Sequence, residues 1–328
     1  MSKATEELEI FILTYNRADM LKLAIQSCLQ QTVKGISITI LDNASTDHTA
    51  DIVSAFDEPN VHLITSEVNI GGLRNMQRCQ ELCSKNYVMM FHDDDQLHPT
   101  YVENAYAHLE ANPDTNVIVS NSITIPAQST PDFSDTPSQS ALKIDKIHFA
   151  AAFYVRNKIS LCSAIYRKSS LKSLNFDYLN TKFGKWGDRP IMIESVENGS
   201  AIILIGTYIF TGRHDAQETH LEQTQPPHTA WLHRENYFRD ILGDELSSFP
   251  GLCFCVMNHR RLKSGYKRRI KKGVAFSTYL DDAFTLGAAT KRTWNFRWFA
   301  PRPVQRMVDF YSTRHLAKHF SIMPEKLR

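Results

Sequence analysis

The chain has 328 residues, 42% of them hydrophobic, which suffices for a real core in one large domain or two. Its formal net charge of +2 hides an asymmetry: residues 256–328 hold 17 Lys/Arg against 4 Asp/Glu, so a basic tail of net +13 follows a body of net −11. No run approaches the roughly 18 consecutive apolar residues of a membrane span. The polar start MSKATEELEIF is unlike a secretory signal, and six cysteines without CxxC spacing argue for reduced thiols in a cytosolic protein rather than a zinc site or disulfide framework.

Glu9–Tyr15 is a strand-like run, and Ala18–Gln31 follows it with apolar residues at Met20, Leu21, Ala24, Ile25, Cys28 and Leu29, a helical period. Ile36–Leu41 repeats the pattern and ends at Asp42-Asn43, where Ser45 or Thr46 is placed to cap a helix over Asp47–Phe56. Val61–Thr65 predicts a third strand, followed by Asn69-Ile70-Gly71-Gly72 and a helix near Leu73–Cys83. Tyr87–Phe91 predicts a fourth and Val117–Asn121 a fifth. Pro126–Ser140 reads as an irregular loop, Asp145–Val155 as a helix, Leu161–Tyr166 as a strand, Arg189–Asn198 as a helix and Ala201–Phe210 as a strand; the tail from Pro226 reads as mainly helical. Strands alternating with helices in units of about thirty residues argue for an α/β fold with a mostly parallel sheet and helices on both faces.

Such sheets bind ligands at the carboxyl ends of their strands. Arg17, Asp42, Asn69 and Asp93–Asp95 all fall just after predicted strands, so one fold brings them to one rim. Three adjacent carboxylates repel one another unless a hard cation sits among them; alone they also suit a solvated turn ahead of the helix that Pro99 would open.

The segments FILTYNR, LDNASTD, NIGG, FHDDDQLHP, KWGDRPIM and TGRHD, in this order and spacing over roughly residues 8–220, resemble family 2 glycosyltransferases of the GT-A, Rossmann-like fold. The resemblance implies transfer of a sugar from a nucleotide-sugar, with a UDP-sugar favoured, to an acceptor hydroxyl with inversion, assisted by Mn2+ or Mg2+. It divides the chain into a nucleotide-sugar-binding half (1–125), an acceptor-binding half (126–225) and a basic, mainly helical extension (226–328).

Carried over by position, Thr14, Tyr15 and Arg17 border the nucleotide base, and Asp42 accepts hydrogen bonds from uracil or ribose. Asn43 stands where the family more often has a second carboxylate, and an Asx turn is the other reading of Asp42. Asn69, Gly71 and Arg74 line the donor site. His92 occupies the place of the first acid of the metal motif, which makes Asp94 the leading metal ligand, with Asp95 and His214 beside it; Asp93 faces ribose or the donor sugar, and Arg213 pairs with phosphate. Asp188 is the base that takes the acceptor's proton, or else a helix N-cap; Gly187 precedes it where the family commonly has Glu, Trp186 is a sugar-stacking candidate, and Glu194 is a reserve base.

The tail's basic runs, around 259–263 and 267–272, with Trp294, Phe296, Trp298 and Phe299 among arginines, suit an anionic membrane surface, or else pack on the core; no nucleic-acid motif appears. The expectation is an enzyme peripheral to the inner face of the cytoplasmic membrane, acting on a saccharide or lipid-linked saccharide in lipopolysaccharide, O-antigen or capsule synthesis. A sugar nucleotidyltransferase is the rival enzyme, although FILTYNRAD lacks its glycine-rich phosphate loop. A nucleotide-sugar-binding membrane scaffold is the non-catalytic rival.

Overall fold

The alternating apolar runs form the elements that their periods predict, and the computed structural model describes them over residues 2–155, 159, 163–184 and 187–214, together with 237–238, 240–243, 307, 310–311 and 314. A short α1 (Lys3–Glu7) leads into β1 (Leu8–Thr14), α2 (Ala18–Leu29), β2 (Ser37–Asp42), α3 (Thr49–Ser54), β3 (Val61–Thr65), α4 (Gly72–Leu82) and β4 (Tyr87–His92). Then come β5 (Asp95–Leu97), α5 (Tyr101–Ala111), a long β6 (Thr115–Pro126), β7 (Ala141–Ile144) and α6 (Lys146–Val155). The series ends with β8 (Ile165–Arg167), α7 (Lys168–Leu171), α8 (Phe176–Phe183), α9 (Asp188–Glu194) and β9 (Ser200–Arg213).

The sheet runs β3-β2-β1-β4-β8-β6-β9-β5, with β7 paired to β9 outside this path. Its first four strands are parallel neighbours, and β6 is parallel to β9. The pairings β4–β8, β6–β8, β5–β9 and β7–β9 are antiparallel, so the purely parallel region is the amino-terminal half. Strand β1 is central and carries Leu8, Ile10, Phe11 and Ile12 fully buried, the near-continuous apolar run of a strand covered on both faces. Leu21, Ala24, Ile25 and Cys28 of α2 supply the apolar stripe that meets this core.

Two features fix the carboxyl rim. Buried Gln31 donates to the carbonyls of Ser27 (3.1 Å) and His98 (3.0 Å) and accepts the Val102 N–H (3.0 Å), which ties the β5–α5 turn to the end of α2. The three residues Asp95–Leu97, to which the sequence assigns no strand, pair with β9 in the register Asp95↔Thr211. The chain divides into two compact units, Met1–Lys146 with Lys158–Glu222, and Ile147–Asn157 with Gln223–Arg328. In the second, the ring of Phe153 lies 4.8 Å from that of Phe149, and Tyr154 lies 5.2 Å from Phe238. The tail's basic runs and tryptophans, and Trp186, lie outside the described residues.

Candidate active site

Parallel pairing of β1 and β4 sets Leu13 beside His92, so the residues that follow, Thr14 and Asp93, meet at the rim. The Thr14 hydroxyl donates to Asp93 Oδ2 at 2.7 Å and Arg17 Nη1 to Asp93 Oδ1 at 2.9 Å. Asp93 is 1% exposed and both its oxygens are engaged. Thr14 and Arg17 thus hold Asp93, a role that the sequence reading, which set them and Asp93 around the nucleotide, did not foresee. Tyr15, between them, is 42% exposed and free to meet a planar ligand.

Asp94 is the next residue. Arg17 Nη1 lies 3.8 Å from its Oδ2, and the His214 Nε2–H donates to the same oxygen at 3.0 Å. Burial alone pushes the Asp94 carboxyl up; His92, Arg17 and the bond from His214 outweigh it and hold the group below the usual carboxylate range. For Asp93, burial prevails over the pull of Arg17 and raises it. Of two adjacent acids, Asp94 is therefore the one shifted toward its ionised form.

His214 arrives at the end of β9, and Gly212 makes the approach possible. Its N–H donates to the Asp94 carbonyl (3.0 Å) and to Asp95 Oδ1 (3.1 Å), and a Cβ there would stand 2.0 Å from the Asp94 carbonyl oxygen. Gly212→Ala is expected to force the backbone apart, to lower stability by about 1–3 kcal/mol and to weaken nucleotide binding in parallel, as read by denaturant midpoint and by titration. Arg213, exposed, accepts Ala127 N–H through its carbonyl, so its side chain is not fixed by that contact.

The loops after β1 and β2 lace together. Asn16, at φ 53°, accepts the Thr46 N–H at 2.7 Å, its own N–H meets Ser45 Oγ at 2.8 Å, and the Ala18 N–H meets Asp47 Oδ2 at 3.0 Å. Ala44, at φ 66°, is a non-glycine residue in the left-handed region, a strain that this lacing sustains. Asp42 is 4% exposed and accepts the Ser45 N–H at 3.0 Å, the Asx turn that was the alternative reading; a carboxylate has further lone pairs for a ribose or base. Ser45 and Thr46 do not cap α3: Asp47 does so from outside, accepting the Thr49 N–H (3.1 Å) and hydroxyl.

Asn43 explains its own departure from an acid. Its Nδ2 donates to Asn69 Oδ1 at 2.8 Å while its Oδ1 accepts the Ile70 N–H at 2.9 Å, and Asn69 Oδ1 also accepts the Gly71 N–H at 2.9 Å. A carboxylate would oppose Asn69 oxygen to oxygen, and turning the Asn69 amide would oppose its NH2 to the Gly71 N–H. Asn43→Asp is therefore expected to destabilise the fold by about 1–3 kcal/mol, in the denaturant midpoint, with a loss of nucleotide affinity.

Gly71 (φ 83°) opens α4, and Arg74 in its first turn pairs with exposed Asp177 of α8 at 2.8 Å. Asp188 lies in the first turn of α9, whose N-cap is Gly187; its Oδ1 accepts the Arg189 N–H at 2.8 Å. A Cβ at Gly187 would sit 2.6 Å from Leu73 Cδ1, a reason for glycine where the resemblance has Glu. Glu194, the reserve base, is half-buried and takes Lys146 Nζ at 2.7 Å.

Asp94 Oδ2 and His214 Nε2, 3.0 Å apart, have the separation of two neighbouring ligands on an octahedral ion about 2.1 Å from each. The buried His214 Nδ1 has no hydrogen-bond partner among the described residues. The pair fits a divalent ion; Asp93, with both oxygens engaged, does not contribute, and Asp95 spends one oxygen on Gly212. Among the described residues no three His, Cys, Asp or Glu are grouped to hold a metal. An ion of the magnesium class normally takes one or two carboxylates and completes its shell with water and substrate phosphates.

A model of the glycosyl transferase family 2 matches residues 9–174. The chain belongs to glycosyltransferase family 2. Its relatives include the uncharacterized glycosyltransferase YibD of Escherichia coli K12, 30% identical over 105 residues, 31% of this chain and 30% of that one. Another is E. coli WfaP, a UDP-Glc:alpha-D-GlcNAc-diphosphoundecaprenol beta-1,3-glucosyltransferase, 28% identical over 105 residues, 32% of this chain and 42% of WfaP. The match thus spans less than half of either relative. The crystal structure of S. aureus TarS 1-349 in complex with UDP-GlcNAc superposes with a TM-score of 0.59 at 13% identity, covering 96% of this chain and 91% of that one. This likeness establishes the GT-A fold of the family for the chain.

Proposed function

We propose that the protein is a metal-dependent, inverting glycosyltransferase that moves a sugar from a nucleotide-sugar, UDP-linked by preference, to an acceptor hydroxyl. The observation that carries the reading is the Asp94–His214 pair, 3.0 Å apart, with Asp94 held ionised at the carboxyl ends of the strands. WfaP, by its name a glucosyltransferase from UDP-Glc to a GlcNAc-diphosphoundecaprenol acceptor, supports a lipid-linked saccharide as acceptor and surface-polysaccharide synthesis as the setting.

In this mechanism Asp42 accepts from the base or ribose, Tyr15 covers the base, and Arg213 meets phosphate. Asp94 and His214, with Asp95 behind them, would hold Mn2+ or Mg2+, which would supply charge neutralisation for the leaving diphosphate. Asp188 takes the acceptor hydroxyl's proton as that oxygen bonds to the anomeric carbon and the bond from that carbon to the diphosphate breaks, its electron pair leaving with the nucleotide. Attack opposite the leaving group inverts the centre. No helix among the described residues is long and apolar enough to cross a membrane. We place the enzyme on the cytoplasmic membrane's inner face, docked by the basic tail.

The test is nucleotide release from UDP-, GDP- and dTDP-sugars with manganese and short saccharide acceptors. Metal-dependent release from a UDP-sugar is expected; no release from any donor by folded protein, together with no metal-dependent nucleotide binding, would overturn the reading.

A further inference from the structure

The rim opposite the acidic cluster carries a second constellation that sugar transfer does not use. Strand β4 joins the two: Asp93 follows its last residue, and Asn86 precedes its first, roughly 20 Å away at the usual rise per residue. Lys85, Asn86, Arg167, Lys168, Ser169 and Lys172 line a cleft of about 160 Å³ there. Four of these six lining residues are cations and none is an acid.

The cations are oriented without being neutralised. Lys85 Nζ donates to the carbonyls of Thr5 (2.7 Å) and Leu8 (3.2 Å), and Lys168 Nζ to that of Cys83. Arg167 donates from Nε to the Thr115 carbonyl (3.1 Å) and from Nη2 to that of Pro113 (2.7 Å), and its guanidinium lies 5.0 Å from the centre of the Tyr87 ring. Carbonyls and a ring fix these groups in place but bring no negative charge. Of the acids nearby, Glu9 accepts from Thr39 (3.1 Å) and from the Ser84 N–H (3.3 Å) but makes no ion pair with these cations among the described residues, and Asp114 pairs with Lys143 at 2.6 Å. Asn86, Ser169 and Lys172 are exposed at the mouth, where an amide, a hydroxyl and a further ammonium can donate.

We propose that this cleft binds a phosphate group, as a phosphomonoester or inorganic dianion, at a site separate from the donor site. Fixed cations and neutral donors converging on a concave space match a compact anion with several acceptor oxygens better than a single carboxylate. The volume is several times the roughly 30 Å³ of a water molecule, room for one phosphate and its immediate substituent. The phosphate can belong to a soluble compound or to a lipid headgroup, and the experiment separates them.

Full-length protein is titrated with inorganic phosphate in metal-free buffer saturated with UDP, which closes the donor site, and is also floated with phosphatidic acid and phosphatidylcholine vesicles. Lys172→Glu, an exposed change with no burden on the fold, is expected to weaken phosphate about tenfold, Lys172→Arg to keep it, and both to leave nucleotide release unchanged. If flotation on phosphatidic acid falls in Lys172→Glu along with phosphate affinity, the site is confirmed with a lipid headgroup as its source; if flotation is unaltered while phosphate affinity falls, it is confirmed with a soluble one. Equal phosphate affinity in wild type and Lys172→Glu, or no phosphate binding by wild type, overturns the proposal.

Discussion

Asp94→Asn is expected to lower sugar transfer by two to three orders of magnitude while the protein stays folded. The substitution keeps the shape and an acceptor for the His214 Nε2–H, now 3.0 Å away, but removes the charge that His92, Arg17 and His214 preserve against burial. Loss of one preorganised electrostatic partner of a leaving anion costs about 10²–10³ in rate. Steady-state kinetics across a manganese titration check this, and the deficit should appear both in turnover and in the metal concentration required. Asp93→Ala provides the contrast. Its carboxylate, 1% exposed, holds Arg17 at 2.9 Å and Thr14 at 2.7 Å, so its removal strands a partly buried guanidinium and should cost about 3 kcal/mol of stability. Wild-type manganese dependence in Asp94→Asn would remove that residue from the metal.

Asp188→Asn is expected to reduce turnover by about 10²–10⁴, the usual share of a general base, with nucleotide affinity within twofold of wild type. The amide oxygen can still accept the Arg189 N–H that Asp188 takes at 2.8 Å, so α9 should start as before and the melting temperature should hold. Turnover should fall with little change in donor KM, because the lost group acts only as the acceptor's proton moves. If transfer proceeds at the wild-type rate, another group takes the proton, and Glu194, the reserve base, which pairs with Lys146 at 2.7 Å, is the next to substitute.

The parallel half of the sheet was open to reading because each of its elements carries its own signal. Val61–Thr65 is a strand over the very residues that its apolar run marks, and the apolar period of Leu21, Ala24, Ile25 and Cys28 survives as the buried face of α2. Strand β5 carries no such signal: it is three residues, two of them polar, and exists because β9 pairs with it from far along the chain. The site divides in the same way. That acids gather at strand ends follows from topology, and the resemblance singled out Asp94 and His214. The Thr14–Asp93–Arg17 lock depends on the register between β1 and β4, and the Asn43–Asn69 clasp on two amides facing across loops; neither is written in spacing. Gly212 was visible only as a letter in a motif, since a close approach to the Asp94 carbonyl has no one-dimensional signature.

The stitching of Asp94 to His214 spans 120 residues, and its backbone support is the β5–β9 pairing. On the ribosome this sets an order of events. At about 5–20 residues per second, roughly ten seconds separate the emergence of the acidic cluster from that of the strand that closes it. Through that interval β1, β2 and β3 have all their strand partners within β1–β4, and β4 gains β8 on its other side, while the acids at their rim still lack the glycine amide and the imidazole that finish the site. A nascent chain halted before β9 would therefore fold its first strands and hold Asp93 through Thr14 and Arg17, yet leave Asp94 without its imidazole and Asp95 without its glycine amide, and competence to hold a metal would be among the last properties the growing protein acquires.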